Sequence, residues 1–316
     1  MTAQIGQLFP EQVAELPTAA ATPSRAFHLD LKHHLPDTSL LLAGALGGPF
    51  VIASLTPLRN AMSIGAKDGN ASALTLYSRV FGYSAKSPDL GLGGRLRVAY
   101  TGARVSMVAA CPQFVAIGPA FHLFDAVVPR PMALFSAALI ETFITYGSQS
   151  RNAQLAFNAQ CETVRGGAVV PLSQPWRPWG PGAAFFQARN VVGMSGIRLL
   201  SPPLQDALKG VIPSRGPRQL ASDMLATAST CVVSMPLNLS WTYVVTTPEL
   251  ANAPAWKRGA AALDFMRRQF LSQSGKGLSK VAMRDFGLRC VYVASLFTMF
   301  RSIERVAVSA CGADAS

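Results

Sequence analysis

The sequence predicts an all-α membrane protein in which six transmembrane helices form three pseudo-repeats. Three observations carry that reading. Half of the 316 residues are hydrophobic and only 14% are charged, against about 25% in ordinary soluble domains. Charge is missing in blocks: none stands between Arg104 and Asp125 or between Asp223 and Glu249, and Glu141 is alone between Pro131 and Ser150. A pattern also recurs, in which an apolar segment, a short polar motif, a basic loop, a glycine and a second apolar segment follow one another. Its motif positions Pro57, Ser148 and Pro236 stand 91 and 88 residues apart, and its glycines Gly102, Gly182 and Gly277 stand 80 and 95 apart. A self-similar period with two apolar segments per unit marks an array built by triplication. The alternative is a soluble α protein with very apolar core helices, but runs of about 20 apolar residues are long for such cores.

Residues 1–36 form a polar, proline-bearing extension with Glu11, Glu15 and Asp30. They lack the charged start and apolar middle of a secretory signal, and their acids suit a mitochondrial presequence poorly. The first repeat, 37–128, opens after the capping residues Asp37-Thr38-Ser39. Its first span is Leu40–Ala66, where Gly44 and Gly48 share a helix face for close packing and Pro57 predicts a kink. A short amphipathic element around Leu76, Val80 and Phe81 precedes the second span, Ala103–Val128. The second repeat, 129–209, holds spans Met132–Gly147 and Ala183–Leu204, joined by a Pro/Gly-rich stretch, Asn152–Pro181, expected to lack helix. The third, 210–308, holds Leu220–Val245 and Phe286–Val308. Between them Leu263, Met266, Phe270 and Leu271 form one helical stripe with Arg267 and Arg268 off it, the pattern of a surface-lying helix. A short tail, 309–316, follows.

Net charge is +12 and the isoelectric point about 10. Most basic residues fall between spans, where a cationic rim attracts anionic lipid head groups. No basic stripe interleaved with aromatics occurs, so nucleic acid is not an expected partner. Cys111, Cys161, Cys231, Cys290 and Cys311 show no metal or redox spacing. His28, His33, His34 and Asp30 match no standard metal site. Ser195 lacks a nucleophile elbow, Gly275-Lys276-Gly277 is not a phosphate-binding loop, and Gly91-Leu92-Gly93-Gly94 stops short of a dinucleotide fingerprint. No enzyme, metal or cofactor is therefore expected.

The plan resembles the mitochondrial carrier family over roughly residues 40 to 308. That family has three repeats, each with two tilted helices joined by a matrix loop that carries a short surface helix. Its odd helices end in Pro-x-(Asp/Glu)-x-x-(Lys/Arg) and its even helices begin with an aromatic-x-Gly element. Here the motif-to-glycine distances are 45, 34 and 41 residues. Tyr100-Thr101-Gly102 matches the even-helix start well, while Gly180-Pro181-Gly182 and Gly275-Lys276-Gly277 match in their glycines. The resemblance implies six helices around a threefold pseudo-axis, a multi-pass place in the mitochondrial inner membrane, and bound cardiolipin. Its phosphates would sit at Tyr100, Thr101, Gly102, Gly180, Gly182, Gly275 and Gly277, since exposed N–H donors at helix starts attract phosphate. The family's contact points, seven residues after each glycine, fall on Ala109, Arg189 and Arg284. Arg189, with Asn190, and Arg284 are thus candidate anion-binding residues, because guanidinium pairs bidentately with carboxylate or phosphate. The alternative for Arg284 is a structural ion pair with Asp285 or Glu141, or snorkelling from a span end.

The departures bear on function. In the family the motif acids and bases form a ring of salt bridges that closes the matrix gate. Here the motif's proline positions hold Pro57, Ser148 and Pro236. The acidic positions hold Arg59, Ser150 and Asn238, and the basic positions hold Met62, Ala153 and Trp241. No acid–base pair survives, although Asp206 keeps Lys209 at the other end of the bundle. The expectation is a carrier-like protein recruited as an accessory subunit of a respiratory-chain or ATP-synthase assembly, with neighbouring subunits as partners. The alternative is a divergent transporter that exchanges a small anion such as a carboxylate, keto acid or phosphate compound.

Overall fold

Every regular segment described from Gly48 onward is helical. The computed structural model describes residues 41–66, 71–83, 90–160, 169–271 and 277–310. The polar extension, His28, His33, His34, Cys161, Gly275 and Cys311 lie outside these residues. Among them the only extended pairing is a single antiparallel bridge, Leu271 with Leu278.

The first long helix is assembled from a π turn, Ala43–Gly47, followed by α1 (Gly48–Ser54) and α2 (Thr56–Gly65). Its break falls at Leu55, two residues before Pro57, where φ −93° and ψ 2° leave the helical well. A proline ring clashes with the preceding turn, so the bend follows from sequence. α3 (Ala73–Val80) and α4 (Leu92–Ala99) fill the first loop. Leu76 and Val80 of α3 are buried, as the amphipathic pattern predicts, and Ser72 caps it by accepting the Thr75 amide. The next long helices are α5 (Ala103–Asp125), α6 (Arg130–Gln160) and α7 (Ala183–Ser195). α7 passes through a π turn, Gly196–Leu200, into α8 (Ser201–Ala207). α9 (Arg215–Val245), the short α10 (Pro248–Ala251), α11 (Ala255–Phe270) and α12 (Lys280–Ala310) complete the chain.

The long helices pack in chain order. The α1–α2 helix meets α5, α5 meets α6, α6 meets α7, α7 meets α9, α9 meets α12, and α12 returns to α1 and α2. Small residues permit the close approaches. A methyl on Gly44 would press on the Phe114 backbone, and one on Gly48 would strike the Phe114 ring. The predicted glycine face is therefore the face against α5. Gly102, Gly182 and Gly277 all take positive φ, +80°, +76° and +100°. They mark the starts of the even helices, as the period predicts, because only glycine occupies that region at no steric cost.

Several expectations need correction. α6 does not stop at Gly147 but runs to Gln160, so Asn152–Gln160, predicted as loop, is helix. The sequence Asn-Ala-Gln-Leu-Ala-Phe-Asn-Ala-Gln contains no breaker, and Asn152, Ala153, Gln154 and Ala156 give it a buried face. α11 exists, but its buried stripe is Ala262 and Phe265, and Leu263 is 60% exposed. Stacking of Phe265 on Tyr243, with ring centroids 4.3 Å apart, sets the rotation. Of the six predicted spans, only α5 and α9 are both long and apolar enough to cross a membrane by length and composition. α6 and α12 are long but carry polar or charged residues along one side, and the first and fourth helices are interrupted by π turns.

Candidate functional site

A cavity of about 570 Å³ is bordered by residues of all six long helices. Its polar lining comprises Arg59 of α2, Gln113 of α5, Glu141, Gln149 and Asn152 of α6, Arg189 and Asn190 of α7, Asn238 of α9, and Arg289 and Tyr292 of α12. Met62, Ala153 and Trp241 add apolar wall at one end, and Leu41, His122 and Arg198 border the other.

Arg189 is the best-defined member. It lies two turns into α7, counted from the left-handed Gly182, and is 8% exposed. Phe186, one turn earlier on the same face, puts its ring 4.0 Å from the guanidinium carbon, and Trp241 of α9 lies at 5.5 Å. Such ring faces attract a cation and hold it flat. Arg189 donates from Nε and Nη2 to Asn190 Oδ1 at 3.1 and 2.8 Å, and from Nη1 to Asn238 Oδ1 at 2.9 Å. Asn190 is itself fixed by donating to Thr142 Oγ1 at 3.1 Å. All these acceptors are neutral amide oxygens. They orient the guanidinium without cancelling its charge.

The remaining charges are close by. Arg59, Arg289, Glu141 and Tyr292 are the electrostatic neighbours of Arg189. Arg59 donates from Nη2 to Ser106 Oγ, yet its buried Nε has no hydrogen-bond partner. The Nε of Arg289 is likewise buried and unpartnered, and its guanidinium lies 5.7 Å from the Tyr292 ring. Glu141 accepts from Gln113 Nε2 at 2.9 Å. Arg59, Arg189 and Arg289 thus gather near one carboxylate, and Arg198 is a fourth guanidinium on the cavity border. Buried donors without acceptors cost about 1–3 kcal/mol each, more when charged, so an anion entering here gains what the resting lining lacks.

Of the gate positions, Arg59, Met62, Ala153, Asn238 and Trp241 border the cavity, without any ionic ring. Asn60, beside Arg59, donates from Nδ2 to the carbonyls of Ala99 and Thr101 at 3.1 and 3.0 Å. Its Oδ1 accepts from Asn152 Nδ2 at 3.2 Å, which ties α2 to α6. Gln154 Nε2 donates to the Val245 carbonyl at 3.1 Å, which ties α6 to α9. Ala66 completes the closure by packing on Met235 and Leu239. The ion pairs Arg268–Asp264 and Arg284–Asp285 each lie within one helix, Lys209–Asp206 joins the end of α8 to the turn after it, and no gate position takes part in them. Ser148 and Ser150 are buried in α6 outside the cavity lining, and α9 runs unbroken through Pro236. Asn238 and Trp241 instead serve Arg189.

Of the three contact points seven residues after a glycine, only Arg189 reaches the cavity. Ala109 is buried away from it. Arg284 is a correction: its Nε donates to Asp285 Oδ1 at 2.7 Å, and its Nη atoms donate to the carbonyls of Gly65 and Ala71. It is a structural clamp between α12 and the end of α2. The reason is at the start of α12. Gly102 and Gly182 are followed at once by helix, but Leu278 and Ser279 intervene after Gly277, and Ser279 accepts the Ala282 amide as cap. Two extra residues rotate the register by about 200°. Arg289 takes the inward place, and sequence reasoning missed it. Glu141 was the missed acid, although its isolation in an apolar block was the available signal.

At the predicted lipid positions, Tyr100 is 40% exposed, whereas Gly102 lies so close to Asn152 Oδ1 that a Cβ would collide with it. Gly180 packs on the Tyr146 hydroxyl, which donates to the Pro181 carbonyl at 2.7 Å. Gly182 faces Trp241 and Val244, and Gly277 faces open space. No cluster of three or more metal-ligating side chains occurs among the described residues. Compared with known proteins, the chain matches no protein-family model and no curated protein.

Proposed function

We propose that this chain is a six-span, carrier-like membrane protein whose central cavity binds a small anion and passes it across the bilayer by rocking of the helices. One observation carries the anion reading: Arg59, Arg189 and Arg289 share a cavity with Glu141 as their sole carboxylate among the lining residues. Intramembrane charges face a wet cavity or a partner, and here they face a cavity.

The distribution of side chains supports the membrane setting. Phe50, Val108, Phe135, Phe143, Val232, Val233 and Val291 of the long helices are exposed, while Thr142, Thr145, Asn152, Ser222 and Ser240 are buried. Only 24% and 44% of the apolar windows of α5 and α9 are buried, so these are not core helices of the usual soluble kind. The mitochondrial inner membrane, and cardiolipin at the Tyr100–Gly102 and Gly180–Gly182 helix starts, belong to the same proposal through the family resemblance.

A second reading, an accessory subunit of an inner-membrane assembly, is favoured by the neutral closure at Asn60, Asn152 and Gln154. Alternating access needs two states of similar free energy, and amide bonds lack the long-range pull that re-forms an ionic ring. Exchange assays separate the two readings. Purified protein in liposomes loaded with labelled mono-, di- or tricarboxylates or phosphate should give saturable exchange that Arg189→Ala abolishes. Exchange of no anion in the panel, together with co-migration with a larger complex on native electrophoresis, would leave only the subunit reading.

A further inference from the structure

We infer that Glu141 is a built-in counter-charge that tunes the cavity for a doubly charged anion. The inference rests on the anion-site reading above and adds to it a substrate class and a specificity-determining residue. Arg59, Arg189 and Arg289 bring three positive charges and Glu141 returns one negative charge, which leaves a surplus of two.

Glu141 is not consumed by any of these arginines. Its Oε1 accepts from the neutral amide of Gln113 on the neighbouring helix, and Arg189 spends three of its N–H donors on the neutral oxygens of Asn190 and Asn238 and keeps the others for a ligand. A carboxylate tied to one arginine would remove that arginine from the site. One held apart, on a neutral donor, lowers the charge of the whole cavity while leaving every guanidinium available. The free Nε atoms of Arg59 and Arg289 belong to different helices, α2 and α12, from that of Arg189. A ligand with anionic groups at two points engages several of them. A single carboxylate leaves one surplus charge desolvated, and a third carboxylate faces Glu141. Arg198 also borders the cavity, but in the π turn nine residues beyond Arg189 and seated over Phe121 at 4.5 Å, outside the electrostatic neighbours of Arg189.

The experiment uses full-length protein in nanodiscs and calorimetric titration with three short saturated probes of one, two and three carboxylates: butanoate, succinate and propane-1,2,3-tricarboxylate. Wild type should bind succinate most tightly. Glu141→Gln should shift the tricarboxylate-to-succinate affinity ratio towards the tricarboxylate by about tenfold or more, the scale of one unit charge a few ångströms away in a partly solvated site. Glu141→Asp should keep the wild-type order. If Glu141→Gln leaves the ratio unchanged while Arg189→Ala weakens every probe, the counter-charge role is wrong and the anion site stands. Should Glu141→Gln fail to fold, the wild-type order decides, since butanoate or the tricarboxylate matching succinate overturns the inference. If no probe binds wild type, the anion-site reading itself fails.

Discussion

Replacing the three repeat glycines by alanine, one at a time, tests whether equivalent backbone positions carry equivalent loads. All three have positive φ, so alanine incurs a backbone cost of about 1–3 kcal/mol at each. Their surroundings differ. Beyond Gly277 an added Cβ meets nothing, and beyond Gly182 it meets Trp241 and Val244 at 3.4 Å, an ordinary contact. Beyond Gly102 it overlaps Asn152 Oδ1 and its carboxamide carbon. Overpacking there adds about 1–3 kcal/mol, so Gly102→Ala should be the most damaging of the three. The packing part is separable by a double-mutant cycle with Asn152→Ala, which removes the obstructing amide. Gly102→Ala and Asn152→Ala should be less than additive by about 1 kcal/mol or more, whereas Gly277→Ala and Asn152→Ala, with no shared contact, should add. Thermal unfolding of the detergent-solubilised protein, followed by intrinsic tryptophan fluorescence, reads all six variants. Equal losses at Gly102 and Gly277, or strict additivity with Asn152, would refute the reasoning.

Three further outcomes follow from the same contacts. Asn60→Ala strips the donor from two carbonyls and the acceptor from Asn152, and should cost about 2–4 kcal/mol by the same unfolding assay. Arg284→Ala leaves Asp285 buried and unpaired and should cost about 3–5 kcal/mol; anion binding per folded molecule should be unchanged, and Arg284→Ala with Asp285→Ala should recover part of the loss. The hydrogen bond from Lys209 holds the exposed Asp206 carboxyl below the usual carboxylate range. That pairing is complete above the ordinary carboxylate pKa and is lost as pH falls through the depressed value, so Lys209→Ala should raise the Asp206 midpoint in an NMR titration.

The fold was legible where backbone chemistry is local. Blocks poor in charge located α5, α6 and α9, and the recurrent glycines located three helix starts, because left-handed backbone at a helix start asks for one residue type. Pro57 gave the bend for the same kind of reason. What failed was what depends on rotation. The offset from Gly277 to Arg284 looked equivalent to that from Gly182 to Arg189, yet two linking residues turned Arg284 outwards and brought Arg289 in. The α11 stripe was misjudged for a related reason: Tyr243, remote in sequence, chose Phe265 over Leu263. Helix length was misread in α6 because polarity beyond Gly147 was taken for loop, when that face was the one buried against α2 and α9. Of the candidate anion-binding residues, Arg189 and Asn190 border the cavity, since both lie close to an unambiguous helix start. Asn238, which joins Asn190 in holding the guanidinium, is visible in the sequence only as a missing acid.

The closure by Asn60, Asn152 and Gln154 has an electrical consequence. Carboxamides carry dipoles but no net charge, so rupturing them moves no gating charge through a transmembrane voltage. Raising ionic strength screens nothing there. On the transport proposal, a barrier of this kind yields to hydration: water must reach three amides together, and a membrane voltage has no handle on whether it does.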